Sequence, residues 1–187
     1  RRGKPTNLTA APGEEPGTVV LAWDQTDDRS IPWWEYRQRE ESEDWGPWTR
    51  MDGSGWETTE HTVEALTNGM PYQFKVRGLN RTDLAESEVV EAMPVGRPDP
   101  PAVEATAGHE QVMLEWTAPK SNGGSPMDQY EYRYQEAGAA TWELDWTAVG
   151  LNMSQRVAGL TNEQPYVFEV RAQNEAGFYS EASSDQA

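Results

Sequence analysis

Apolar and polar residues alternate with a period of two along most of this chain. The alternation is clearest in residues 72–77 and 166–171, where every even-numbered position is aromatic or aliphatic. It recurs in residues 33–39 and 130–135. Successive side chains of a strand point to opposite faces of its sheet, so this pattern is typical of antiparallel strands with one buried face. No segment shows a sustained helical period.

The pattern predicts seven short strands in each half of the chain, separated by clusters of Gly, Pro, Asn and Asp. In the first half we expect strands at 6–10, 18–23, 33–39, 48–51, 61–66, 71–79 and 86–92. In the second half we expect them at 102–107, 111–116, 129–135, 146–149, 155–160, 165–173 and 180–186. Short strands at such regular spacing indicate an antiparallel sandwich.

The two halves also repeat each other residue by residue. Trp23 is the last residue of an apolar strand in the first half and Trp116 of one in the second, at an offset of 116 − 23 = 93. Tyr72 and Tyr166 are offset by 166 − 72 = 94. A near-constant offset indicates two copies of one unit. We therefore predict two domains, residues 1–95 and 96–187, joined by a proline-rich segment at about 93–101 that restricts the backbone.

The repeated residues resemble those of tandem fibronectin type III domains. The match rests on a strand-two Trp, an aromatic pair on strand three, and a Leu that precedes a corner Tyr. In order along the chain these are Trp23, Trp34, Tyr36, Leu66 and Tyr72, and then Trp116, Tyr130, Tyr132, Leu160 and Tyr166. Residues 119–127 are similar to the family's loop between strands two and three, and residues 171–177 resemble the end of its sixth strand.

This resemblance implies a fold class and a set of core residues. The expected fold is all-β, with two tandem seven-stranded antiparallel β-sandwiches of the immunoglobulin-like kind and the ten residues above in their cores. Residues 130–134 and 145–147 also look like repeats of bacterial secreted or cell-surface proteins.

Charge and composition exclude several classes of partner. Fifteen Lys and Arg against 32 Asp and Glu give a net charge of −17, and neither half has a sizeable basic face. Nucleic acids and anionic membranes are therefore not expected as partners. No apolar run is long enough to insert into a membrane, and the absence of Cys excludes disulfides and Cys metal sites.

The residues needed for catalysis or for a metal site are not grouped in the sequence. His61 and His109 are the only histidines and lie one in each half, without a nucleophile motif nearby. The acidic groups at 24–28 and 40–44 lack the spacing of a calcium loop. We therefore expect no enzyme activity, no cofactor and no metal.

The richest candidate site is aromatic and cationic. If Trp34 points inward, Trp33 points outward, and Arg37 and Arg39 share an outer face with Lys75 and Arg77. Guanidinium groups can stack on indoles there. Such a ladder is either an internal clamp or a patch for a protein or glycan. The binding candidates are Trp33, Arg37, Trp45, Trp48 and Arg77, with Trp56 beside them and with Trp142, Trp146, Arg133 and Arg171 as a weaker set in the second half.

Two loops add further binding candidates. Arg81-Thr82-Asp83 occupies the loop in which, by the resemblance, a fibronectin repeat carries its integrin tripeptide, but Thr replaces the middle Gly and the motif is absent. Phe178 and Tyr179 lie in the matching loop of the second half. The loop candidates are therefore Arg81, Asp83, Phe178 and Tyr179.

Taken together, the sequence predicts a non-enzymatic spacer or interaction module of a larger secreted or cell-surface protein. Its expected role is adhesion or protein–protein contact, with a protein or possibly a glycan as ligand. Two alternatives stay open. One is an accessory module of a secreted polysaccharide-degrading enzyme, in which exposed Trp rings stack on sugars. The other is a segment of an intracellular structural array.

Overall fold

The computed structural model describes residues 4–80 and 84–187, which form strands, turns and loops. The chain divides into two compact units, Arg1–Val95 and Gly96–Ala187, here called unit 1 and unit 2. Each unit contains one three-stranded and one four-stranded antiparallel sheet. The predicted all-β class with two seven-stranded sandwiches is confirmed. Within the described ranges there is no helix with the length and apolar character needed to cross a membrane.

The strands of unit 1 form the sheets β1-β2-β5 and β4-β3-β6-β7. Their bounds are β1 (Thr9–Pro12), β2 (Val19–Ala22), β3 (Trp34–Glu40), β4 (Thr49–Arg50), β5 (Glu60–Val63), β6 (Tyr72–Gly78) and β7 (Val90–Ala92).

The strands of unit 2 follow the same order, in the sheets β12-β9-β8 and β11-β10-β13-β14. Their bounds are β8 (Ala102–Gly108), β9 (Gln111–Thr117), β10 (Met127–Glu136), β11 (Leu144–Ala148), β12 (Ser154–Ala158), β13 (Tyr166–Asn174) and β14 (Ser183–Gln186).

The core of unit 1 lies between its two sheets, because the apolar side of each alternating strand faces the other sheet. Trp34 and Phe74 are 0% exposed. The Trp34 ring lies 5.2 Å from that of Trp23, and its Nε1–H donates a hydrogen bond to the Gly55 carbonyl at 2.9 Å. Tyr36, predicted in the core, is only partly buried and packs against the ring of His61 at 5.0 Å.

Unit 2 builds its core from the matching positions. Trp116 is buried and its ring lies 5.8 Å from that of Tyr130. Phe168 on β13 is fully buried, as is Phe74 on β6. The same strand pattern therefore produces the same packing in both units.

The two corner tyrosines hold equivalent turns. The Tyr72 hydroxyl accepts a hydrogen bond from the Thr67 backbone N–H at 3.1 Å, and the Tyr166 hydroxyl accepts one from Thr161 at 3.2 Å. A buried leucine precedes each turn, at Leu66 and Leu160. Each ring is therefore buried while its polar tip remains satisfied.

The first and last strands of unit 1 show where alternation misplaces strand ends. The strand predicted at 6–10 lies instead at Thr9–Pro12, because Asn7 has a left-handed backbone with φ of 54°. The strand predicted at 86–92 begins only at Val90. Ser87 interrupts it: its hydroxyl accepts the Val76 N–H at 2.9 Å and donates to the Glu88 carbonyl at 2.8 Å. Ser180 makes the equivalent pair of bonds in unit 2.

The proline-rich segment predicted as a joint is hydrogen-bonded to folded structure on both sides of Val95. Pro94 is buried in unit 1, and its carbonyl accepts the Gly69 N–H at 2.8 Å. Gly96 is buried in unit 2, and its N–H donates to the Gly123 carbonyl at 2.8 Å. The segment is therefore anchored rather than loose.

Asn174 is the centre of the anchor in unit 2. Its side chain is fully buried, and its Nδ2–H groups donate to the carbonyls of Gly96 at 2.8 Å and Asn122 at 3.0 Å. Its Oδ1 accepts the Phe178 N–H at 3.1 Å. Gly123 has a φ of 73°, and a Cβ atom there would overlap the Gly96 carbonyl oxygen. This close approach requires glycine at position 123.

Candidate functional site

The outer face of the four-stranded sheet in unit 1 collects most of the described cations of that unit. Because the odd-numbered residues of β3 and β6 point outward, the strand register places Arg37 beside Lys75, Arg39 beside Gln73, and Glu35 beside Arg77. The alternation of the sequence therefore gathers like charges on one surface. Their mutual repulsion is relieved by aromatic rings and carboxylates.

The aromatic rings come from the segment between β3 and β4, which folds back over these cations. Arg77 lies 4.1 Å from the centroid of the Trp48 ring, and Arg37 lies 4.7 Å from the same ring. Arg37 also lies 5.0 Å from Trp45, which Arg39 contacts at 4.5 Å and Lys75 at 5.2 Å. We call this stack of Arg77, Trp48, Arg37, Trp45, Arg39 and Lys75 the first ladder.

Two other Trp residues predicted nearby stack elsewhere. Trp33 is covered by Arg50 of β4, at 4.3 Å, and not by a member of the first ladder. Trp56 packs against the core of unit 1, with Arg29 over its ring at 5.0 Å. Of the five binding candidates, the structure brings together Arg37, Trp45, Trp48 and Arg77.

Carboxylates complete the first ladder. Glu35 accepts hydrogen bonds from Arg77, at 2.7 Å from Nη2, and Glu86 pairs with Lys75 at 2.9 Å and with Arg37 at 3.3 Å. Burial by itself raises the pKa of Glu86. The Lys75 hydrogen bond and the charges of Arg37, Lys75 and Arg77 outweigh that effect, and the pKa of Glu86 lies below its usual value.

This lowered pKa predicts acid sensitivity of unit 1. The stabilisation from Glu86 is full above the usual glutamate pKa of about 4.3 and is lost as the pH falls through the lower folded-state value. We expect Glu86→Gln to be less stable than the parent chain at pH 7 and to lose less stability between pH 5 and pH 3. Urea unfolding across this range measures both, with Glu57→Gln at an exposed position as control. Parallel pH profiles for the parent and Glu86→Gln would contradict the prediction.

Unit 2 carries a second ladder on its equivalent face. Arg133 stacks between Trp142 at 3.8 Å and Trp146 at 4.4 Å. Arg171 stacks between Trp146 at 4.2 Å and Tyr179 at 4.0 Å. The sequence predicts a weaker set here, but the structure shows a continuous alternation, which we call the second ladder: Trp142, Arg133, Trp146, Arg171 and Tyr179.

Carboxylates also flank the second ladder. Glu169 lies opposite Arg133 and pairs with it at 2.9 Å, and the buried Glu131 pairs with Arg171 at 2.6 Å. Each arginine therefore has an aromatic ring on either side and a carboxylate at its edge.

The loop candidates have different outcomes. Tyr179 is a member of the second ladder, and Phe178 is partly buried with its N–H bound to Asn174. Neither is a free loop tip. Arg81 and Asp83 lie outside the described residues.

The geometry offers no arrangement for catalysis among the residues that the structure describes. Within these residues no three His, Asp or Glu converge as metal ligands. His61 packs on Tyr36, and burial lowers its pKa. His109 lies 3.1 Å from the Asn162 amide through Nδ1. Both histidines are therefore accounted for by local packing and hydrogen bonding.

Sequence reasoning missed Arg50 and the four ladder carboxylates, Glu35, Glu86, Glu131 and Glu169. A usable signal was present for three of them. Glu35, Glu131 and Glu169 occupy outward, odd-numbered positions on the same strands as the arginines. Glu86 follows β6 outside any regular strand and gave no such signal.

Comparison with known proteins gives one family. The model described as "Fibronectin type III domain" matches residues 3–93 and again residues 98–186. A solved two-domain fibronectin type III segment from chicken tenascin aligns with 98% of this chain and 98% of its own, at 16% identity and a TM-score of 0.45.

The similar curated proteins include one that is named for striated muscle. Human Myomesin-2 is 29% identical over 138 residues, which cover 70% of this chain and 9% of the relative. The chicken "M-protein, striated muscle" is 30% identical over 138 residues, covering 70% of this chain and 10% of the relative. The chain thus matches no more than a tenth of either protein. These relatives are animal proteins, and the resemblance to bacterial repeats drawn from the sequence is not shown by them.

Proposed function

The chain belongs to the fibronectin type III family, and we propose that its two domains are a non-enzymatic structural spacer within a longer multidomain protein. The observation that carries this proposal is the pair of ladders. On the outer faces of both four-stranded sheets, the large aromatic rings are stacked against cations of the same domain. The rings on these faces are thus covered by side chains of their own domain.

The stacking also argues against a sugar-binding role for these rings. A sugar face stacks on an open aromatic ring, whereas Trp48 and Trp146 each have two arginines within 4.7 Å of the ring centroid. Displacing these arginines would break the ion pairs with Glu35, Glu86, Glu131 and Glu169. The accessory-module alternative is therefore less well supported than the spacer.

The relatives favour a structural array over a secreted adhesion protein as the parent. Myomesin-2 and the M-protein, which by its name is a protein of striated muscle, resemble the chain across most of its length. Titin of Drosophila melanogaster is 26% identical over 132 residues, covering 66% of this chain and 1% of the relative. We propose that the parent protein is an array of this kind, the intracellular alternative of the sequence analysis, in place of the extracellular location expected first.

The test is a double variant, Trp33→Ala with Trp48→Ala. If the stacks are structural, the free energy of unfolding of the first domain falls by about 2 kcal/mol, because three cation–π contacts worth about 0.5–1 kcal/mol each are removed. Calorimetry of the whole chain measures this, with Leu151→Ala, at a position that is 60% exposed, as control. A melting temperature equal to that of the parent chain would contradict the structural role.

A second candidate function is recognition of a protein by the same face, through Trp33, Arg37, Trp45, Trp48 and Arg77. The observation in its favour is that all five side chains are only partly buried, and aromatic and Arg residues are enriched in binding hot spots. The same double variant distinguishes the two functions when it is tested against a panel of matrix proteins and insoluble polysaccharides. Binding by the parent chain that is lost in an equally stable variant would support recognition.

A further inference from the structure

The two ladders can be compared position by position, because they are built on equivalent strands. Arg37 on β3 and Arg133 on β10 each lie between two Trp rings, Trp48 and Trp45 in one domain and Trp146 and Trp142 in the other. In both domains the outermost of these rings comes from the loop before the edge strand. Trp142 is therefore the counterpart of Trp45.

The two outermost rings differ in the number of cations around them. Trp45 is contacted by Arg37, Arg39 and Lys75. Among the residues described in the structure, Trp142 is contacted by one cation, Arg133. The first ladder thus supplies its own terminal cations and the second ladder does not.

The substitutions behind this difference can be read from the strand register. Two residues after the ladder arginine, the first domain has Arg39 and the second has Gln135. On the neighbouring strand, Arg37 lies opposite Lys75, whereas Arg133 lies opposite Glu169. Two positive side chains have therefore been replaced by one neutral and one negative side chain.

The surroundings of Trp142 favour a cation from outside the chain. Residues Gly96–Ala187 carry five Lys and Arg and 14 Asp and Glu, a net charge of 5 − 14 = −9. Glu143 and Glu136 are exposed close to Trp142 in sequence, and residues 137–141 are only Ala, Gly and Thr. Trp142 remains partly exposed at the end of the second ladder.

We propose that Trp142 is a docking site for an arginine side chain of a basic protein partner. The guanidinium group would stack on the ring as Arg39 does on Trp45 and would extend the second ladder by one member. Arginine suits this place better than lysine because its planar, weakly hydrated group stacks on aromatic faces. This inference goes beyond the spacer function and does not depend on it.

The test uses the full 187-residue chain, labelled with ¹⁵N, and a capped peptide of alternating Gly and Arg. The control ligand is the same peptide with citrulline, which keeps the shape of arginine but has no charge. We expect the Arg peptide to shift the Trp142 indole N–H resonance in a saturable way and the citrulline peptide to leave it unchanged. The resonance is assigned from its absence in Trp142→Leu.

Two variants locate the site. Gln135→Arg introduces the residue type that the first domain has at this position and keeps the Trp142 ring. The new guanidinium group would stack on Trp142 and compete with the peptide, so we expect about fivefold weaker binding of the Arg peptide. The double variant Arg39→Gln with Lys75→Glu gives the first ladder the residue types of the second and removes two cations from the Trp45 ring. The Trp45 indole N–H resonance should then shift when the Arg peptide is added. Dispersed amide spectra show that each variant remains folded.

The proposal is overturned if the citrulline peptide shifts the Trp142 indole as much as the Arg peptide does. It is also overturned if Gln135→Arg binds the Arg peptide with unchanged affinity. The same holds if the shifts map only to acidic loops remote from Trp142, because general charge attraction then explains the binding.

Discussion

Replacing Trp34 by Ala should lower the free energy of unfolding of the first domain by about 4 kcal/mol, the range for deleting a large aromatic side chain from a core. Trp34 is 0% exposed, packs its ring 5.2 Å from Trp23 and donates a hydrogen bond to the Gly55 carbonyl. The substitution removes all three contributions at once. A domain of this size is stable by about 5–15 kcal/mol in total, so the loss is a large share.

Differential scanning calorimetry of the whole chain measures this effect. We expect the transition of the first domain to move to lower temperature while that of the second stays in place, because each domain has its own core. Trp34→Phe is the matched control: it keeps most of the apolar volume, loses the Gly55 hydrogen bond and should cost only about 1–2 kcal/mol. Equal shifts of both transitions, or a loss below that of Trp34→Phe, would show that the packing argument is wrong.

Replacing Asn174 by Ala should have the second largest effect, a loss of about 3 kcal/mol in the second domain. The carbonyls of Gly96 and Asn122 and the N–H of Phe178 all lose their partner, and a buried group left unsatisfied costs about 1–3 kcal/mol. Urea unfolding followed by Trp fluorescence measures the loss. Asn152→Ala, at an exposed turn position, serves as the control.

Two companion variants separate the causes of this loss. Asn174→Asp keeps an acceptor for the Phe178 N–H but cannot donate to the two carbonyls, so we expect most of the loss to remain. Gly123→Ala leaves Asn174 intact and instead places a Cβ atom where it overlaps the Gly96 carbonyl oxygen. If Gly123→Ala is as stable as the parent chain, the close packing of this anchor is not what holds residues 96–99 in place.

The strands and the cores could be predicted from the sequence because they depend on alternation within single segments. Successive residues of a strand point to opposite faces of the sheet. Phe74 is therefore buried while the next residue, Lys75, points outward, and Phe168 and Glu169 are arranged in the same way. The outward grouping of Arg37 and Arg77 follows from the same rule.

The ring partners could not be predicted as readily, because they depend on how a loop folds back onto the sheet. Trp45, Trp48 and Trp56 lie within 12 residues of one another. Two of them reach the first ladder, while Trp56 turns to the core. Proximity in sequence places all three beside β4, but the turns between them decide the direction of each ring.

The hydrogen bonds made by the side chains of Ser87, Ser180 and Asn174 could not be predicted from the sequence, for a related reason. Ser87 takes the place of a backbone partner for Val76, and Asn174 bonds to Gly96, which lies 78 residues earlier. Small polar residues of this kind are common in loops and strands alike. Their role appears only when the backbone that they contact has been placed.

The two anchors of the proline-rich segment determine where this chain accepts extra residues. The Pro94 carbonyl is fixed in the first domain and the Gly96 amide in the second, and Val95 alone stands between them. Additional Gly and Ser placed directly after Val95 would add free length and leave both folds intact. The same insertion between Arg97 and Pro98 would add no free length between the folds, because Gly96 and Asp99 on either side of it are both hydrogen-bonded within the second domain.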